Sequence, residues 1–146
     1  MYCQITNKKS NIGEEMKTIM CFGTFDILHL GHLNYFQQAK ELGDYLIVII
    51  SRDKNVKKKS IFNENERLEL VNHLDLVDEV VLGDLVDKFK IIREKKPRII
   101  LLGYDHNIDE QLLEKEFPNS IVKRAKPFHS EKYKSSKVKE SQSNNV

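Results

Sequence analysis

The sequence predicts an α/β fold: a single domain with a Rossmann-like, doubly wound parallel sheet of five strands. Short apolar runs alternate along the chain with amphipathic segments of helical period, which is the pattern of successive βαβ units. Some runs are apolar almost throughout, such as YLIVII at residues 45–50, as is typical of strands buried on both faces. The chain of 146 residues is long enough for one domain with its own core.

Composition narrows the class of protein. Apolar residues make up 40% and charged residues 32%, which is typical of a globular protein in water. No apolar run approaches the roughly 18 residues of a membrane-spanning helix. Two cysteines, Cys3 and Cys21, are too few for a disulfide framework or a zinc site. We therefore expect a cytoplasmic protein without a membrane partner.

Two clusters of lysine and arginine, at residues 54–59 and 123–139, raise the question of a nucleic-acid partner. The net charge of only +2 and the scarcity of aromatic residues for base stacking favour solvated surface instead. We expect no nucleic-acid partner. The domain should span residues 18–139, between a disordered extension at 1–17 and a polar tail at 140–146. Met16 directly precedes the first strand and is a candidate translation start.

Helix boundaries are predicted by caps and breakers. The first helix, which carries Phe36 and Ala39 inward, should end at Gly43 in the left-handed conformation. Asn63, three residues before a glutamate, should cap the second helix. Asp84 should cap the third, which Pro97 ends. The predicted strands are residues 19–22, 45–50, 78–82, 98–102 and 121–122, and the last two helical segments are residues 108–117 and a turn or two from about Ser135.

Polar segments gather at one edge of this predicted sheet. In doubly wound sheets, ligands bind at the carboxyl ends of the strands, where the strand order changes direction. The segments that reach this edge are residues 23–32, the lysine loop at 54–59, residues 103–106 and the approach to Ser135. Their convergence predicts one site for a phosphate-rich ligand.

His29 and His32 are the leading candidates for phosphate binding. They flank Gly31 at the point where the first strand turns into the first helix. Backbone N–H groups at a helix N-terminus and imidazole N–H groups both donate to phosphate oxygens. A bound phosphate would in turn favour the imidazolium form.

Residues 23–32, with the sequence GTFDILHLGH, resemble the signature of the cytidylyltransferase-like nucleotidyltransferases, in which a histidine-any-glycine-histidine element holds the nucleoside triphosphate. The resemblance runs from about Lys17 to Lys139. Within the superfamily it is strongest to the archaeal FAD synthetases and next to the glycerol-3-phosphate cytidylyltransferases. It is supported by residues 51–53, 102–105 and 133–137.

The resemblance implies roles for individual residues. The positions implied to bind the nucleotide are Thr24, Phe25, Asp26, His29, Leu30, Gly31, His32, Gly103, Asp105, Tyr133, Ser135 and Ser136. The positions implied in catalysis are His29, His32, Arg67 and one lysine of the loop, namely Lys57, Lys58 or Lys59. Structural interpretations stand beside them: Asp26 can brace its turn, Asp105 and His106 are common turn residues, Tyr133 can be a packing aromatic, and Arg67 on an amphipathic helix is exposed by default.

The implied reaction is nucleotidyl transfer to a phosphate monoester with release of pyrophosphate. ATP with FMN, giving FAD, is favoured, and CTP with glycerol 3-phosphate is the alternative. His129 stands where the glycerol-phosphate enzymes carry an arginine, and Lys134 where relatives often have serine or threonine. Mg²⁺ would enter with the triphosphate, and a homodimer is the assembly common among relatives. A non-catalytic nucleotide-binding module is the alternative of a different class.

Overall fold

The computed structural model describes residues 16–129 and 132. It contains five strands: β1 (Thr18–Gly23), β2 (Tyr45–Ile50), β3 (Glu79–Leu82), β4 (Ile99–Leu102) and β5 (Ile121–Arg124). All pairs are parallel, and the order across the sheet is β3-β2-β1-β4-β5. The predicted five-stranded, doubly wound sheet is thus confirmed. The strand order changes direction between β1 and β4.

In the described part of the chain, four α-helices cover the two faces of the sheet: α1 (Leu30–Leu42), α2 (Glu64–Asn72), α3 (Lys90–Lys95) and α4 (Glu110–Glu116). Helices α1 and α2 bury Phe36 and Val71 against one face. Helices α3 and α4 bury Ile92 and Leu113 against the other. Since successive strand side chains alternate between faces, the apolar run of β2 supplies both cores. Among the described residues, no helix is long and apolar enough to cross a membrane.

Gly43 ends α1 as predicted, but its backbone conformation is extended (φ −140°, ψ 169°) and not left-handed. Close packing explains the glycine here. A Cβ atom on Gly43 would lie 2.8 Å from Cγ2 of Ile19 and 3.1 Å from the carbonyl oxygen of Lys17. The residue is therefore required by the approach of the helix end to β1.

The prediction that Asp84 caps the third helix is wrong. Its carboxylate accepts hydrogen bonds from the backbone N–H groups of Val86 and Asp87, at 3.0 and 2.8 Å, and so closes a turn. The helix begins only at Lys90, after Phe89. Short polar side chains stabilise turns and helix caps by the same kind of bond, and here the turn prevails. As a result, the Val86 side chain is exposed.

The other boundaries follow the sequence more closely. Asn63 and Glu66 form the predicted capping box of α2, each side chain accepting from the other's backbone N–H. Asp109 caps α4, which begins at Glu110, two residues after the start of the predicted helical segment. The predicted helix near Ser135, residues 1–15 of the extension predicted at 1–17, and the tail at 140–146 lie outside the described residues. The domain limits accordingly stay predictions.

Candidate active site

A cavity of about 320 Å³ opens between the carboxyl ends of β1 and β4, where the strand order changes direction. This volume is at the lower end of the range found for small-molecule sites. Its walls come from the turn after β1, the first turns of α1, the loop after β4 and the segment after β5. They comprise Phe22, Gly23, Thr24, Phe25, His29, Gly31, His32, Asn34, Tyr35, Gly103, Tyr104, Asp105, His106, Ala125, Lys126 and Phe128.

The turn after β1 is held in shape by Phe25, whose φ of +52° is unusual for a residue with a side chain. This conformation folds the ring back over Gly23, where a Cβ atom would lie 2.6 Å from Cζ of Phe25. The ring also packs edge-on against His32 and against Phe36 in the core. Phe25 thus fixes the direction in which the chain enters α1.

His29 and His32 cap the N-terminus of α1 reciprocally. Nδ1 of His29 accepts from the backbone N–H of Gly31 at 3.1 Å, and Nδ1 of His32 accepts from the backbone N–H of His29 at 3.3 Å. The rings stack with their centroids 3.9 Å apart. Because each Nδ1 is an acceptor, the proton of each neutral ring is on Nε2. The capping box therefore selects the tautomer in which both Nε2 atoms are donors.

The site favours neutral histidines in the absence of a ligand. Burial lowers the pKa of His29, and burial followed by repulsion from His29 lowers the pKa of His32 to about 3. The first turn of α1 carries no acidic residue, so the positive end of the helix dipole is uncompensated there. Both histidines and the N-terminus of α1 thus line the cavity wall, which suits an anionic ligand.

These histidines should make the protein less stable in acid. The unfolded chain binds protons on them from about pH 6.5 downward, whereas in the folded chain the pKa of both is lowered, that of His32 to about 3, so stability falls as pH drops through this window. His32→Asn should reduce the slope of unfolding free energy against pH by up to about 1.4 kcal/mol per pH unit. Urea denaturation from pH 7 to pH 4 measures this slope, and His73→Asn, at an exposed histidine, is the control. Equal slopes for wild type and His32→Asn would contradict the expectation.

Tyr35 opens the crevice between the two central strands. Pairing of β1 with β4 ends at Cys21 and Leu101, and the Tyr35 hydroxyl occupies the gap beyond. This hydroxyl accepts from the backbone N–H of Phe22 at 3.2 Å and donates to the carbonyl of Leu101. Burial raises the pKa of Tyr35, so the hydroxyl stays a donor. One side chain thus completes the hydrogen bonding of both strands where they separate.

Removing that hydroxyl should destabilise the fold measurably. Tyr35→Phe leaves a buried N–H and a buried carbonyl without partners, and we expect a loss of about 1–3 kcal/mol in urea denaturation. Tyr45→Phe is the matched control, because its hydroxyl donates to the part-exposed carboxylate of Glu79 at 3.0 Å and not to a backbone group between two strands. A Tyr35→Phe variant as stable as the Tyr45→Phe variant would mean that the gap is not closed by this hydroxyl.

The loop after β4 is shaped by His106 and Arg124. Nδ1 of His106 accepts from the backbone N–H of Gly103 at 3.0 Å, and burial lowers the pKa of His106. The Arg124 guanidinium donates to the carbonyls of Gly103 and His106, at 2.9 and 2.8 Å, and pairs with Glu110. These bonds hold exposed Asp105 at the rim of the cavity.

Arg67 lies beneath the turn after β1 and not on the surface. It is fully buried, contrary to the default expectation for its helix. Its guanidinium donates to the carbonyls of Phe62, Thr24 and Ser51, at 3.0, 2.8 and 2.9 Å, and to the Asp53 carboxylate at 2.7 Å. Four of its five N–H groups are thereby used. In this arrangement Arg67 positions the loops after β1 and β2, and contact with a triphosphate stays a prediction.

Asp26 also has a structural role in the turn after β1. It is 2% exposed, and its carboxylate accepts from the backbone N–H groups of Ile61 and Phe62, each at 2.8 Å. It thereby ties the turn to the end of the lysine loop. Within that loop Lys57 is exposed and does not line the cavity. The same is true of Lys58 and Lys59.

The structure thus brings together most, but not all, of the predicted nucleotide-binding residues. Those that line the cavity are Thr24, Phe25, His29, Gly31, His32, Gly103 and Asp105. Leu30 is exposed beside them, at 53%. Tyr133, Ser135 and Ser136 lie outside the described residues.

Sequence reasoning missed Tyr35 and Arg124. The sequence signal for Arg124 was its place at the carboxyl end of the fifth strand, on the same edge as the other polar segments. Tyr35 had no such signal, because its spacing marks it only as one more apolar position of a helix. Within residues 16–129, no group of three or more histidine, cysteine, aspartate or glutamate side chains could hold a metal ion.

The chain is similar in sequence to a known protein family and to several of its members. The cytidylyltransferase-like family model matches residues 20–141. The FAD synthase of Ferroglobus placidus is 47% identical over 110 residues, covering 74% of this chain and 72% of the relative. The FAD synthase of Methanosarcina mazei is 47% identical over 117 residues, covering 79% and 75%.

Solved structures show the same fold. The lipopolysaccharide core biosynthesis protein of Thermoplasma volcanium superposes with a TM-score of 0.75 at 40% identity, covering 78% of this chain and 99% of that one. A bifunctional NMN adenylyltransferase/ADP ribose pyrophosphatase of Francisella tularensis, with AMP and manganese bound, superposes with a TM-score of 0.61 at 16% identity. That match covers 90% of this chain and 43% of the other, and concerns the fold alone.

Proposed function

Because the chain belongs to the cytidylyltransferase-like family, we propose that it is the nucleotidyltransferase that moves AMP from ATP to FMN, forming FAD and releasing pyrophosphate. The similarity to curated FAD synthases favours this acceptor over glycerol 3-phosphate. Retention of the complete histidine pair favours an enzyme over a non-catalytic nucleotide-binding module, which would not need donors aimed at developing charge.

The observation that carries the proposal is the reciprocal cap formed by His29 and His32 at the cavity. It fixes two imidazole rings side by side, with Nδ1 committed to the backbone and Nε2 left as the donor. In the reaction a phosphate oxygen of FMN forms a bond to the α-phosphorus of ATP, and the bond from that phosphorus to the bridging β-phosphate oxygen breaks. Donors already in place stabilise the negative charge that builds on the phosphoryl oxygens.

Positioning of the two substrates also contributes to the rate enhancement. Holding the two phosphates in line can contribute roughly 7–11 kcal/mol to lowering the barrier. We assign Thr24 and Phe25 to backbone contacts with the nucleotide and Asp105 to the nucleoside side of the cavity. No protein nucleophile and no covalent enzyme intermediate is needed for this transfer.

Residues from outside the cavity wall complete the proposed site. A lysine of the exposed loop, with Lys57 the first candidate, would close over the leaving pyrophosphate. The hydroxyls of Ser135 and Ser136, with Tyr133 before them, would meet the β- and γ-phosphates. Mg²⁺ would enter as part of the MgATP substrate, where it neutralises phosphate charge and keeps several waters.

A pyrophosphate-release assay with a grid of substrates tests the function. ATP or CTP is paired with FMN, glycerol 3-phosphate or phosphopantetheine, and the flavin product is separated by chromatography. We expect pyrophosphate and FAD in equal amounts from ATP with FMN, and little from the other pairs. Turnover of CTP with glycerol 3-phosphate alone would replace the flavin acceptor. Nucleotide binding without turnover of any pair would overturn the enzyme in favour of a binding module.

A further inference from the structure

A second cavity, of about 200 Å³, opens at the same carboxyl edge of the sheet, on the face covered by α3 and α4. Its walls are apolar side chains of that core layer: Phe22, Ile49, Phe89, Leu102, Ile108 and Leu113. Its rim is polar and carries the cations Arg52 and Lys88 and the carboxylate of Asp84, and Arg52 is paired with Glu64 at 3.1 Å. An apolar interior with a few polar groups at its mouth is the usual make-up of a small-molecule site.

This second cavity adjoins the candidate active site, because Phe22 lines both. Phe22 is the next-to-last residue of β1, next to the turn that leads to the histidine pair. A molecule seated in the second cavity therefore lies beside the place proposed for the triphosphate. That is the position an acceptor must take if its phosphate is to reach the α-phosphorus.

The chemistry of the walls suits one kind of acceptor. A fused aromatic ring system gains free energy by leaving water for apolar walls, whereas glycerol has almost no apolar surface to bury. The volume is below the roughly 300–1,000 Å³ of sites that enclose a whole drug-sized ligand, so it holds one end of a molecule.

We propose that the second cavity receives the apolar, dimethylbenzene end of the flavin ring of FMN, and that this cavity selects a flavin over a glycerol acceptor. The inference rests on the proposed function. Polar edges of the ring would then face the rim, where Ser51 and Asn55 offer hydrogen-bonding groups. The ribityl phosphate would pass Phe22 toward the histidine pair.

Gly83 gives a direct way to fill this cavity. It lines the cavity, and a Cβ atom there would lie 3.5 Å from the carbonyl oxygen of Ile50 and 3.6 Å from Cγ2 of Ile49, which is ordinary van der Waals contact. Gly83→Leu therefore adds bulk to the cavity without displacing backbone. Ile108→Phe adds bulk from a different loop, and Val86→Leu is the matched control, since Val86 is 94% exposed.

Binding of FMN is measured by the change in flavin fluorescence, in the presence of α,β-methylene-ATP so that no turnover occurs. We expect both cavity variants to weaken FMN binding at least about tenfold, with the affinity for the ATP analogue within twofold of wild type and Val86→Leu unchanged. A folded cavity variant that binds FMN like wild type would overturn the placement of the ring while leaving FAD synthesis intact. Wild-type protein that neither binds FMN nor makes FAD would overturn the proposed function and, with it, this inference.

Discussion

His29→Asn and His32→Asn should each lower turnover by about 10²–10³-fold while the protein stays folded. Asparagine places its side-chain oxygen close to where histidine has Nδ1, so it can still accept the backbone N–H that each ring now binds. It has no atom in the place of Nε2. The substitution thus removes the donor aimed at phosphate and keeps the helix cap. Initial rates of pyrophosphate release measure the loss of turnover, and thermal unfolding of the same variants measures any change in stability.

Glutamine is the matched control at the same positions. Its amide nitrogen lies close to where histidine has Nε2, but it has no acceptor in the place of Nδ1. His29→Gln should therefore cost about 1 kcal/mol of stability through loss of the cap and retain more turnover than His29→Asn. Asparagine variants with near-normal rates would remove the Nε2 donors from the mechanism. Glutamine variants less active than the asparagine variants would mean that cap geometry, and not donation, limits the rate.

The histidine pair could be predicted from sequence because its structure is local. A strand, a glycine-containing turn and a helix start lie within about fifteen residues, and both capping bonds join residues two or three positions apart. The bounds of β1 to β4 were predictable to within one residue, since continuous apolar runs limit where buried strands begin and end, whereas β5, predicted at 121–122, extends to Arg124. Asp84 shows where local signals fail: the same carboxylate can close a turn or cap a helix, and its sequence context does not distinguish the two.

The hydrogen-bond network around the site could not be predicted, because its partners lie far apart in the sequence. Tyr35 donates to a carbonyl 66 residues away, and Arg67 donates to one 43 residues away. Neither residue type nor helical spacing indicates such a partner. Arg67 occupies a core position of α2, beside buried Val71, yet arginine on a helix is normally an exposed residue. Only the folded chain brings together the carbonyls that compensate the burial of its charge.

Arg67→Met should produce the largest loss of stability among these variants, about 3–5 kcal/mol, because three carbonyls lose their donor at about 1–3 kcal/mol each. The substitution keeps the length of the side chain, but it leaves the part-buried carbonyls of Thr24 and Ser51 without the Arg67 donor and breaks the ion pair with Asp53. Arg67→Lys should recover only part of the loss, because one ammonium group cannot reach acceptors arranged around a planar fork. Urea denaturation measures both variants. Arg93→Met is the control, since Arg93 is 51% exposed and its ion pair should contribute no more than about 1 kcal/mol.

Kinetics then distinguish the structural position of Arg67 from direct contact with the triphosphate. Arg67 joins the turn after β1, through Thr24, to the start of the lysine loop, through Ser51 and Asp53. If it acts by positioning these segments, Arg67→Lys should lower both kcat and stability. The reason is that the histidine donors and the loop lysine are then no longer held in the relative positions that the reaction requires. If it binds phosphate directly, Arg67→Lys should raise KM for ATP at nearly native stability, since a lysine retains the charge. The buried, four-bonded guanidinium leads us to expect the first result, and the second would show that Arg67 leaves its buried position when the nucleotide binds.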